Sequence, residues 1–228
     1  MKTTTILLAS SLALTCAAGT GAAAATKAPA KKVCKIIVDA AGDAAYAGVV
    51  PGDAGDDILS ADVAGDGKTL TAVLRLADLQ APNPSAPLGQ QFYLEFSVKG
   101  YDALLFLAAR SYPTGPKFVY GYSGEDPVLP LTTSYPLGDA KGVIDPAKEE
   151  VRISAPTSGF SGAQVKIVKG SKLTALTART YRILGQGLVP SQNVGPARVP
   201  IGGLSTPFDD ATGTSYVVGT PSCVKPGA

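Results

Sequence analysis

Between residues 39 and 67 the chain reads DAAGDAAYAGVVPGDAGDDILSADVAGDG, which sets Asp39, Asp43, Asp53, Asp56, Asp57, Asp62 and Asp66 among glycines and alanines. Two kinds of chemistry suit that pattern. Loop carboxylates and backbone carbonyls can supply the roughly six to eight oxygens that Ca²⁺ takes, and glycines let the chain turn around the ion. Aspartates also start turns between short strands, by accepting bonds from nearby backbone N–H groups. An EF-hand is excluded, because DAAGD lacks the alternating ligand positions and has no glutamate at the twelfth place.

Composition removes much other chemistry. The chain has no histidine and no tryptophan, and its one methionine is Met1. Nucleophiles with a histidine base, histidine-ligated zinc and haem held by His and Met are thereby excluded. A glycosidase-type pair needs two carboxylates roughly 5–10 Å apart across a cleft. Glu149 and Glu150 are adjacent and would face opposite ways in a strand, Glu95 lies on the polar side of FYLEFSVKG, and Glu125 sits in the turn GEDP. All four read as solvated surface groups, and the expectation is a protein that is not an enzyme. The formal charge is +2, with lysines scattered apart from Lys31 and Lys32, so no basic stripe points to nucleic acid.

The elements that must position these residues begin after an export signal. MKTTT, the apolar run ILLASSLALTCAA and a small-residue tract give the three-part order of a signal peptide over 1–25, followed by a disordered linker at 26–32. The apolar run is shorter than the roughly 20 residues of a spanning helix, so no membrane span is expected, and the protein should be secreted. Ala13, Leu14 and Thr15 ahead of Cys16 depart from a lipoprotein box. Cys34 and Cys223 remain in the exported chain and read as one disulfide closing it, the alternative being two buried thiols.

Residues 33–228 carry a period of two. In TLTAVLRL, Leu70, Leu74 and Leu76 share a face, as do Phe92, Leu94 and Phe96 in FYLEFSV. Lys99-Gly100 separates FYLEFSV from YDALLFLAARSY and predicts a hairpin. KFVYGYS, EVRISAP and SYVVG extend the series, and many short strands between Gly and Pro turns indicate one all-β domain, an antiparallel β-sandwich of jelly-roll-like or immunoglobulin-like form. LTALTARTYRILG is expected to be a loop followed by a strand. LVPSQNVGPARVPIGGLSTPFDDATG, rich in Pro and Gly, is expected to be a long surface excursion. Phe118, Tyr120 and Tyr122 fall on one face of KFVYGYS, either as core packing or as a platform for a sugar.

The order of pieces, with DAAGD, DDILSAD, DGKTLTAVLRLADL, FYLEFSVKG, YDALLFLAARS and VDPAKEEVRISAP, resembles the secreted bacterial β-sandwich domains of the DOMON-like and family 9 carbohydrate-binding-module-like group. The resemblance covers residues 33–156. It implies a non-catalytic module that binds an extracellular ligand or associates with a surface, the ligand being a sugar, haem or a structural calcium. Haem lacks its His and Met ligands here, and a glycan would have to stack on Tyr120 and Tyr122 in place of tryptophan. Calcium is the implied group left most intact, with Asp39, Asp43 and Asp57 as its ligands. A secreted enzyme with a carboxylate pair is the remaining alternative.

Overall fold

The computed structural model describes residues 32–46, 50–125, 132–185 and 204–227. The expected signal peptide and all but the last residue of the expected linker lie outside them. Within them the alternating segments form β1 (Ile37–Val38), β2 (Ala45–Tyr46), β3 (Val50–Pro51), β4 (Ile58–Gly65), β5 (Thr69–Leu76), β6 (Gln90–Val98) and β7 (Leu104–Tyr112). The series continues with β8 (Gly115–Glu125), β9 (Thr132–Asp139), β10 (Lys141–Asp145), β11 (Glu150–Pro156), β12 (Lys172–Gly185), β13 (Leu204–Thr212) and β14 (Tyr216–Val217). The strands make two antiparallel sheets packed as a sandwich. One has the order β1-β4-β5-β11-β10; the other runs β13-β12-β6-β7-β8-β9, with β14 also on β12. β2 and β3 form a small hairpin of their own.

The inner faces hold the residues that the period of two selects. Leu70, Leu74 and Leu76 of β5 are buried against Phe92, Leu94 and Phe96 of β6, in a core that also takes Val151, Ile153 and Phe160. The Phe96 ring meets that of Phe160 edge-on, with centroids 5.8 Å apart. The β6–β7 hairpin turns at Lys99-Gly100, where Gly100 has φ +95° and the Tyr101 N–H reaches the Val98 carbonyl at 3.0 Å. A side chain there would be strained, which is why glycine serves the turn.

Two expectations change. LTALTARTYRILG contains no loop: it lies within the single strand β12, whose register with β6 shifts between Thr174 and Thr177, with Ala175 at φ +48°. The bulge inserts residues between two in-phase halves, so Leu173 and Leu176 both reach the core at a spacing that looks helical. The second half of the Pro/Gly-rich stretch is not a surface excursion either. LSTPFDDAT is β13, the edge strand on β12, and Pro207 is accommodated opposite Tyr181 where the register shifts. Residues 188–203 of that stretch lie outside the described residues.

The disulfide joins Cys34 to Cys223 with Cα atoms 5.2 Å apart, so both ends of the domain are tied at one place. Val33 and the C-terminal segment are held there by Val33 N–H to the Pro221 carbonyl (2.9 Å) and Cys223 N–H to the Val33 carbonyl (3.1 Å). No helix among the described residues is long and apolar enough to cross a membrane.

Candidate metal site

The seven aspartates of the opening stretch divide by partner. Asp56 is fully buried at the end of a tight turn, and its carboxylate accepts from Arg182 and, at 2.9 Å, from the Gln90 amide. Asp53 lies 3.1 Å from the same Arg182, whose guanidinium sits over the Phe208 ring. Asp62 pairs with Arg75 at 2.8 Å and accepts the Lys35 N–H. Asp66 accepts the Lys68 and Thr69 N–H groups, both at 2.8 Å, and these bonds hold its carboxyl below the usual range. These four are satisfied by protein groups and act as turn formers and ion-pair partners.

Asp39, Asp43 and Asp57 differ. Asp39 follows β1 directly, Asp43 lies in the β1–β2 connection, and Asp57 immediately precedes β4. Because β1 pairs with β4, Val38 opposite Ser60, the chain after β1 passes beside the start of β4. The Gly42 N–H fixes this by donating to Asp57 Oδ2 at 2.7 Å. One oxygen each of Asp39, Asp43 and a residue not anticipated, Asp209 of β13, lie within 4.8 Å of one another.

Asp57 is only 3 % exposed, and its Oδ1 is buried with no hydrogen-bond partner; Asp39 Oδ2 is in the same condition. Burial pushes the Asp57 carboxyl above its ordinary value, and the neighbouring Asp43 charge adds to this. Asp39 is raised first by burial, then by Asp43 and Asp57, against a bond from the Ala40 N–H. Asp209 goes furthest, pushed up to about 6 by burial and by Asp39 and Asp43, although Ile58 and Asp210 N–H groups donate to it at 2.6 and 2.8 Å. No basic side chain is among the causes acting on these three. Three carboxylates thus meet, while the expected ligand Asp57 lies outside that group but near enough to repel Asp39 and Asp43; with two buried oxygens lacking donors, the arrangement costs free energy that a bound cation would relieve.

The donor set fits a hard cation. A cation with bonds of about 2.4 Å bridges opposed oxygens up to about 4.8 Å apart, and the three oxygens here all lie within that span. Asp209 was not legible as a partner, because its place beside Asp39 depends on β13, an element that its flanking Pro and Gly residues disguise.

The other expected site residues lie elsewhere. Tyr120 is 8 % exposed and points into the core, its ring 5.1 Å from that of Phe160 and closed over by Gly138 and Gly159. Tyr122 is half-buried and stacked on Tyr135 at 5.1 Å. The row therefore packs inward as one face of β8, and Tyr120 offers no ring to solvent. Glu95 is not the solvated group expected. It is 6 % exposed on the outer face of β6, 2.9 Å from Arg179, with its carboxyl raised by burial against the pull of that cation.

No protein family model, curated protein or solved structure matches the chain.

Proposed function

We propose that this protein is an exported, non-catalytic β-sandwich module whose acidic corner binds one divalent cation of the calcium class. The observation that carries the reading is the meeting of Asp39, Asp43 and Asp209 within 4.8 Å, beside the buried and unpartnered Oδ1 of Asp57. Asp39 Oδ2 and Asp57 Oδ1 are buried without a donor, whereas the turn former Asp66 has no buried oxygen in that condition. Export is supported by the leader-like N-terminus and by a disulfide that an oxidising compartment maintains.

Melting curves of metal-stripped protein test the reading. Calcium at about 100 times its dissociation constant should add about 2.7 kcal/mol of stability by mass action, and magnesium distinctly less. A curve that neither ion moves at millimolar concentration refutes it.

A further inference from the structure

The acidic corner lies on a seam. β1 is the edge of the five-stranded sheet and β13 the edge of the other, and among the described residues an isolated bridge between Ile37 and Gly213 joins the two. Thr214 N–H reaches the Ile36 carbonyl at 3.4 Å across this bridge, while the Gly213 N–H turns back to the Leu176 carbonyl of β12 at 2.9 Å. β1 itself is two residues long. Asp39 lies two residues beyond Ile37 and Asp209 four before Gly213, so the carboxylates face each other across this join. Asp39, Asp43 and Asp57 come from the side of the five-stranded sheet, and Asp209 from the other.

We propose that a cation held by these residues is a latch for the seam, closing β13 onto β1 and the start of β4. The inference rests on the cation reading above and adds a consequence to it. With the four charges uncompensated, their repulsion acts across this join between the sheet edges. On the Asp209 side the Ile58 N–H bond opposes opening, and at the far end of the short β1 segment the Cys34–Cys223 bridge does so. Opening is therefore confined to β1, the β1–β2 connection and β13, and it leaves the paired interior strands β5, β6 and β7 in place. It would uncover backbone groups on the edges of β4 and β12, which offer pairing to another strand. Calcium concentration would then decide whether the sandwich presents closed or open edges.

Hydrogen–deuterium exchange on the metal-stripped full-length exported protein, with and without calcium at neutral pH, reads this directly. Slowing of about tenfold or more in peptides covering 36–46 and 204–214 is expected, at exchange times too short for β5–β7, whose amides await global unfolding, to exchange. The same regions should lose that calcium-dependent slowing in Asp43→Asn, a substitution at an exposed position that leaves the core intact. Calcium that binds calorimetrically yet leaves exchange in those two segments unchanged overturns the latch and leaves the cation site standing. Absence of any calorimetric binding overturns both.

Discussion

Asp43→Asn separates a cation site from a set of turn formers by the sign of its effect. Asp43 is exposed, and its charge contributes to the raised carboxyls of Asp39, Asp57 and Asp209. Two unit charges no more than 4.8 Å apart repel by at least about 0.9 kcal/mol at the dielectric of water, which suits an exposed group. Removing the repulsion toward Asp39 and Asp209 should stabilise the metal-free protein by about 1–2 kcal/mol, or about 2–8 °C in melting temperature for a domain of this size. In saturating calcium the order reverses: the wild type gains about 2.7 kcal/mol at 100 times its dissociation constant, and the variant, short of a ligand, gains much less. The assay is a melting curve of each protein in chelator and in calcium, at pH 7.5 and fixed ionic strength. A variant that melts at or below the wild type in chelator, with both proteins indifferent to calcium, refutes the repulsion argument.

Three further outcomes follow from the fold and its charges. Phe96→Ala should cost about 3–5 kcal/mol in denaturant unfolding, because Phe96 is fully buried against Phe160, whereas exposed Lys99→Ala should cost under about 0.5 kcal/mol; equal costs would place the core on the wrong face. Denatured, unreduced protein should titrate no thiol from Cys34 or Cys223, and reduction should destabilise by about 5 kcal/mol on the chain-entropy account for a separation of 189 residues. In chelator, stability should rise as pH falls from 7.5 to 5. Asp209 titrates near 6 when folded and near 3.8 when unfolded, so it holds its proton more tightly in the fold. Its contribution is full below about 3.8 and lost as pH rises through 6, worth about 1.4 kcal/mol between pH 7.5 and 5. Asp39 and Asp57 act in the same direction, while the lowered Asp66 opposes them only below its ordinary value. A flat profile from 7.5 to 5 in chelator would show that the corner carries no repulsion.

Strands with an uninterrupted alternation were legible in the sequence. β5, β6, β7 and β11 follow from a period of two, and the Lys99-Gly100 turn from the need for positive φ, since each depends on neighbours in sequence. β12 was legible only in part, because its bulge shifts the phase at Ala175 and gives Leu173 and Leu176 a spacing that no regular strand has. β13 was hidden by Pro207, which an edge strand tolerates beside a register shift but an interior strand would not. The candidate site follows the same division. Asp39, Asp43 and Asp57 are near in sequence and were selected together, whereas Asp209 joins them from 152 positions beyond Asp57 through a sheet pairing that no local pattern encodes. Glu95 was misread because the outer face of an antiparallel sheet is ordinarily solvated, and here it holds a buried ion pair with Arg179.

The central claim is that the acidic corner is a site for one cation. Calorimetric titration of calcium into metal-stripped protein at pH 7.5 measures that most directly. Binding should saturate at one site per chain, with affinity that weakens at pH 5 as Asp209 takes up its proton and that is largely lost in Asp43→Asn. Titration heats that never depart from dilution, at protein and calcium concentrations up to the millimolar range, would contradict it.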